Sequence, residues 1–191
     1  NRIVASSNDN TVLTKLMTKV GRYQSILYFY VLGGFVLLGQ FFINAWAGSG
    51  FADAYWLIIF MATPLFIPLI RNTGLEIQKA KNKHKARSLI YLVMAVLNVA
   101  ITVFLAPYIG YWAPAVGYIT YVVLGCGLFM NWYYQKHIGL DMFYFWRRII
   151  PVITVAIAAT ALSLLGTHYL PVDSWFSFIP LYMDCFLLVL V

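Results

Sequence analysis

"LEIQKAKNKHKARS", residues 75–88, is the stretch on which the reading of this chain turns. Lys79, Lys81, Lys83, Lys85 and Arg87 fall within nine residues of it, five of the thirteen Lys and Arg in the whole sequence. The seventeen residues 54–70 before it carry no charge, and neither do the twenty residues 89–108 after it. An apolar block of about twenty residues is the length of helix that crosses a hydrocarbon core of roughly 30 Å. A basic run between two such blocks marks one face of a membrane. Taken alone, it would suit nucleic acid, lipid headgroups or a phosphorylated ligand equally well.

Composition decides between these. The chain is 62% hydrophobic and 10% charged, with a mean hydropathy of +0.80, whereas a soluble domain is about 25% charged. A chain of 191 residues has too little interior to hide that much apolar surface from water. The apolar blocks are continuous rather than alternating, which excludes a β-barrel. The fold expected is therefore an all-α integral membrane protein. Its net charge of +7 lies in the links between spans and not over a folded surface, so nucleic acid is not an expected partner. Cys126 and Cys185 both lie inside apolar blocks and read as buried thiols, with no disulfide, metal or cofactor framework.

Working outward, residues 1–23 read as a polar segment leading into an amphipathic helix. Leu13, Leu16, Met17 and Val20 fall on one face, and Lys15, Lys19 and Arg22 on the other, as for a helix lying at a headgroup surface. Residues 24–191 read as a six-span bundle, with spans at 24–46, 54–70, 89–108, 113–134, 149–165 and 175–191. The chain opens on Asn1 and stops inside the run "CFLLVLV", so it is expected to be a fragment cut at both ends. If the spans alternate, every Lys and Arg falls on one side, and the opposite links carry Asp53 and Asp173. The positive-inside rule makes the basic side cytoplasmic. Trp46, Trp56, Trp112, Trp132, Trp146 and Trp175 all lie near block ends, where indole rings prefer the interface.

Several residues inside the spans need a reason to be there. Pro64 and Pro68 each remove a backbone donor from the second span. The freed carbonyls need partners, so the helix is either kinked in a packed bundle or bent along a cavity. Pro180 would kink the last span. Arg71 either snorkels to the cytoplasmic interface or points into a cavity, where a guanidinium matches phosphate geometry. Asn72 follows it, and Glu76 is near enough in sequence to pair with it. Asp184 is the one carboxylate deep in an apolar block, and serves either coupling or packing. Gln40, Asn44, Asn98 and Thr102 either bond between helices or line a polar path. Small residues four apart, Ala113/Gly117 and Ala159/Ser163, suit close helix packing. No nucleophile triad, metal cluster or Gly-rich phosphate loop occurs, and His84, His137 and His168 are scattered, so no enzyme is expected.

Four stretches, taken in order, resemble a known family: "FVLLGQFFINAWAG" (35–48), "IQKAKNKHKARS" (77–88), "LNVAITVFLAPYIG" (97–110) and "YYQKHIGLDMFYFWRR" (133–148). They are similar to the bacterial polysaccharide biosynthesis flippases, the O-antigen-type lipid-linked oligosaccharide exporters of the multidrug/oligosaccharidyl-lipid/polysaccharide superfamily. The likeness runs over about residues 11–151. It departs at "GYWAPAVG", where Ala113 and Pro114 stand in place of the family's usual Gly-x-x-Gly-Ala-Ala. The resemblance implies two lobes of twelve to fourteen spans in all, of which this chain is roughly the last six. It implies that an undecaprenyl-diphosphate-linked glycan is moved across a bacterial inner membrane by alternating access. The implied partners are the lipid-linked glycan, membrane lipids, the missing N-terminal half of the same chain and polysaccharide polymerase machinery. A cavity for such a cargo would draw on Arg71, Asn72, Glu76, Gln40, Asn44, Asn98 and Thr102. The loop lysines would meet water and anionic headgroups. The competing readings are a drug/cation antiporter of the same superfamily, which would need cavity carboxylates, and a membrane-embedded lipid or sugar transferase.

Overall fold

Backbone groups buried in lipid have no water to bond, so a continuous apolar block must satisfy its own peptides as a helix. A computed structural model describes residues 9–83 and 85–169, with side chains up to residue 165. The sixth predicted span, 175–191, with Asp184, Pro180, Trp175 and Cys185, lies outside the described residues, as do Asp173, His84 and the side chain of His168. Among the described residues no strand occurs. Helix α1 is Asn10–Trp46, α2 Ala52–Leu69, α3 Asn72–Ala80 and α4 Lys85–Ile109. Helix α5, Ala113–Thr120, runs on as a π-helix at Tyr121–Phe129, a single α turn α6 at Met130–Tyr133 and a second π segment at Tyr134–Ile138. Helix α7 is Met142–Tyr169. Among the described residues four helical stretches are long and apolar enough to cross a membrane: Asn10–Trp46, Ala52–Ala80, Lys85–Ile138 and Met142–Leu165. The chain is an all-helical membrane protein.

The third of those stretches folds back on itself at Gly110, whose φ of +55° suits a residue without a Cβ. Across this hairpin Met94 packs on Gly125, and Asn98 and Thr102 close over Gly117. Helices α1 and α2 form a second antiparallel hairpin. The Tyr55 hydroxyl donates to the Val36 carbonyl at 2.7 Å, and the Tyr28 hydroxyl donates to the Ala62 carbonyl. The two hairpin turns lie together. Tyr111 in one donates to Asp53 Oδ2 beside the other at 3.0 Å, and the Phe60 and Trp112 rings meet edge to face at 5.7 Å. Helix α7 runs parallel to α1, with Phe145 against Gly21 and Ala156 against Phe29. This topology sends the first half of α1, residues 71–87 and residues 136–148 to the opposite end. All the Lys and Arg of the described residues lie there.

At that basic end the first turns of α1 depart from the expectation. The predicted headgroup helix and first span are one continuous helix, about 55 Å long at 1.5 Å per residue. Leu13 and Met17 do not face lipid. They are fully buried in a core with Ile77, Ile138, Leu140, Met142 and Phe145. The apolar stripe that the sequence shows is real, but protein rather than headgroups covers it. Asp9 caps the helix, accepting a hydrogen bond from the Thr11 N–H at 2.8 Å. That backbone bond, the Thr11 hydroxyl and Lys15 hold the Asp9 carboxyl below its ordinary range.

Packing at Gly117 and the cap at Asp9 can each be tested. A Cβ on residue 117 would stand 2.3 Å from Asn98 Oδ1 and 2.8 Å from the Asn98 carbonyl oxygen. Gly117→Ala should therefore cost about 1–3 kcal/mol through overpacking, read as a lower melting temperature in detergent, and adding Asn98→Ala should recover part of it. The Asp9 cap is present above the unfolded aspartate pKa of about 3.9 and is lost as pH falls through the lower folded-state value. Protection of the amides at the start of α1, taken relative to the intrinsic exchange rate at each pH, should fall in acid for the native chain. In Asp9→Ala it should be low at every pH.

Candidate functional site

The residues that most need explaining meet at the basic end, around Arg71. Two prolines lie in α2, yet the helix runs unbroken to Leu69. Residues 70 and 71 close off its last carbonyls. The Ile70 N–H reaches the Phe66 carbonyl at 3.0 Å, and the Arg71 N–H takes the Pro68 carbonyl at 3.3 Å. That choice leaves the Ile67 carbonyl without its usual partner four residues on. Arg71 closes it with its own side chain, Nε donating at 3.1 Å. Orphan carbonyls at a helix end are commonly met in this way.

The rest of the guanidinium crosses to the facing wall. Nη1 donates to Asn131 Oδ1 at 2.7 Å, and Nη2 donates to the Cys126 carbonyl. The Tyr134 ring lies beside the guanidinium, 5.9 Å from its carbon. The wall has the geometry to do this because it is π-helical. In an α-helix, residues five apart point about 140° away from each other. The wider i→i+5 turn brings Cys126 and Asn131 toward one face. Arg71 is only 4% exposed and forms no ion pair among the described residues. It neither snorkels to solvent nor pairs with Glu76, which bonds Lys79 instead at 3.0 Å.

The basic loop is held as tightly. The Lys81 ammonium donates to the Ile138 carbonyl at 3.0 Å and to Asn10 Oδ1. Lys83 donates to the His137 carbonyl. These are the last carbonyls of the second π segment, which stops at Gly139 with φ +81°. Cations on a helix C-terminus meet both its free acceptors and its negative dipole end. Burial pushes the Lys81 ammonium below its ordinary pKa, and neighbouring Lys83 adds to the shift. The Lys83 carbonyl in turn accepts from Gln78 Nε2 at 3.1 Å and from the Tyr133 hydroxyl at 3.2 Å. Thr14 Oγ1 accepts from the Asp141 N–H at 3.2 Å, joining α1 to the turn before α7. Lys81 and Lys83 are thus bound to protein, contrary to the expected exposure of the whole run. Arg87 lies over the Tyr91 ring at 4.7 Å.

The other expected cavity residues do not join this cluster. Asn72 is exposed beside Arg71. Asn98 and Thr102, bonded to each other at 3.4 Å, are half-buried over Gly117 and serve the α4/α5 contact. Gln40 and Asn44 are exposed on α1. Nineteen residues separate Gln40 from Gly21, which packs against the Ile70 carbonyl. That is about 28 Å along the helix axis, so these residues and Arg71 do not share one pocket. Sequence reasoning missed the partners of Arg71, because a backbone carbonyl and a lone Asn carry no motif. It also missed Arg22, Arg147 and Arg148, which the packing of α7 on α1 brings to one cleft. Comparison with protein-family models, curated proteins and solved structures finds no match.

Arg71→Met removes three hydrogen bonds and strands the Ile67 and Cys126 carbonyls and the Asn131 side-chain oxygen. Each stranded buried group costs about 1–3 kcal/mol. The exposed Glu76–Lys79 pair is worth about 0–1 kcal/mol. Thermal unfolding in detergent should therefore fall far more for Arg71→Met than for Glu76→Gln, and equal losses would rule out Arg71 as a structural tie.

Proposed function

We propose that this chain is the later part of a two-lobed exporter that flips an undecaprenyl-diphosphate-linked oligosaccharide across a bacterial inner membrane. The reading takes six spans, with the basic end cytoplasmic by the positive-inside rule. One observation carries it beyond the resemblance. A proline-bearing helix ends in a buried guanidinium that grips a π-helical wall on another hairpin. Prolines and π segments both depart from the regular i→i−4 ladder, and both are places where a membrane helix bends. A static scaffold needs neither. Alternating access needs helices that change shape around a fixed contact.

Arg71 then has a defined part in the cycle. In the described state its three nitrogens all hold protein oxygens. A diphosphate offers oxygens of the same kind with negative charge, and charge-assisted bonds to guanidinium are about twice as strong as neutral ones. Cargo would displace Asn131 and the Cys126 carbonyl, freeing α2 from the π-helical wall. Binding would thus be coupled to the loss of a contact between two hairpins. The antiporter reading is less well supported. Among the described residues Asp9, Asp53 and Asp141 lie at helix ends and Glu76 lies in the basic-end helix α3, so none stands among the apolar central turns of a span.

In the full-length protein Arg71→Ala, at normal membrane abundance, should reduce surface polysaccharide at least tenfold and leave lipid-linked glycan in the inner leaflet. Asn131→Ala, which frees one guanidinium nitrogen, should keep export. Unchanged surface glycan in Arg71→Ala would sink the phosphate role. Loss of cationic-dye efflux in place of glycan export would favour the antiporter.

A further inference from the structure

A second cationic feature, not lined by Arg71, lies at the basic end. A cleft of about 430 Å³ opens between the first half of α1 and the start of α7, lined by Arg22, Tyr144, Arg147, Arg148, Pro151 and Val152. Its volume is in the range of small-molecule sites. Three guanidiniums line it and, among the described residues, no carboxylate does. None of the three forms an ion pair among the described residues, while Arg148 rests over the Tyr144 ring at 5.6 Å. Three like charges brought together without a counter-charge repel one another unless an anion joins them.

Depth says what kind of anion. Arg22 lies twenty-four residues before Trp46 on α1, about 36 Å along the axis. That slightly exceeds a hydrocarbon core of roughly 30 Å. With Trp46 at one interface, the three arginines stand at headgroup level of the other. Toward the hydrocarbon the cleft is walled by Pro151 and Val152. Beyond them the exposed side chains are apolar: Val155 on α7, and Leu27 and Val31 on α1. Cations at phosphate depth beside an apolar flank match an amphiphile better than a soluble anion. Guanidinium forks fit the paired oxygens of a phosphodiester, and basic pockets between spans at this level suit anionic lipid headgroups.

We propose that the Arg22–Arg147–Arg148 cleft binds the phosphodiester headgroup of an anionic glycerophospholipid from the leaflet at the basic end. Such a lipid holds α1 to α7 where, among the described residues, no salt bridge does. The site does not depend on the export reading. A resident phospholipid is compatible with any cargo.

Native mass spectrometry of the full-length protein in detergent tests this, with phosphatidylglycerol, phosphatidylcholine, undecaprenyl diphosphate and inorganic pyrophosphate as probes. The native protein should retain phosphatidylglycerol at least tenfold over phosphatidylcholine. Arg22→Gln/Arg147→Gln/Arg148→Gln should lose that retention at least tenfold. Lys79→Gln/Lys85→Gln/Lys136→Gln, with the same net charge, should keep it. If the cleft triple variant does not fold, single Arg147→Gln and Arg148→Gln should each lower retention several-fold. Equal retention in the cleft variants and the charge-matched control overturns the proposal. So does displacement by pyrophosphate at equal concentration, which marks a free-anion site, or binding of undecaprenyl diphosphate with no binding of phosphatidylglycerol, which assigns the cleft to cargo.

Discussion

A guanidinium buried among helices, with no carboxylate partner among the described residues, is the constraint around which the basic end is organised. Removing a cation from water costs several kcal/mol even after relaxation, so Arg71 is tenable only if oxygens replace its hydration. Three do so: the Ile67 carbonyl of its own helix, the Asn131 side chain and the Cys126 carbonyl. The last two exist in that arrangement because residues 121–129 are π-helical. The irregularity in one hairpin is therefore the complement of the charge in the other. Oxygens without full charge also make a reversible grip, because a stronger anion can displace them.

Around this contact the two ends of the bundle are fastened differently. At the turn end, an exposed hydroxyl-to-carboxylate bond between Tyr111 and Asp53 joins the hairpins. At the basic end, Lys81 and Lys83 cap the carbonyls that close residues 134–138, and the core from Leu13 to Ile149 packs beneath them. Met17 lies twenty-nine residues before Trp46 on α1, about 44 Å along the axis and farther than a hydrocarbon core of roughly 30 Å, so burying Leu13 and Met17 against Ile77 and Phe145 removes them from water. Along the spans, lipid is as apolar as leucine and gives no such drive between helices, so association there rests on close packing, as at Gly117 beneath Asn98.

The residues read first as a charge cluster turn out to divide by partner. Lys81 and Lys83 serve the fold, Lys79 pairs locally with Glu76, and Arg87 lies on Tyr91. Among the described residues, the cations left without a counter-charge around a cavity are Arg22, Arg147 and Arg148, which the sequence places in two separate stretches and never in one site. A dense run is conspicuous in sequence because it is local. A convergent site is not, because Arg22 stands 126 positions before Arg148 along the chain.

What the sequence determined by itself is the class of structure: an all-helical membrane protein with the cations of its described residues gathered at one end. Hydrophobic block length and charge placement are additive, local properties, and the bilayer reads them segment by segment. The reversal near Gly110 and the apolar stripe of Leu13 and Met17 were legible for the same reason. Only the tertiary structure decided what covers that stripe, that Arg71 faces Cys126 and Asn131, that Asn98 and Thr102 close over Gly117, and that Gln40 and Asn44 stand far from Arg71. Those outcomes depend on which helix faces which, and on the pitch of residues 121–138. Both are set by packing and hydrogen bonding between segments distant in sequence, which no local pattern encodes.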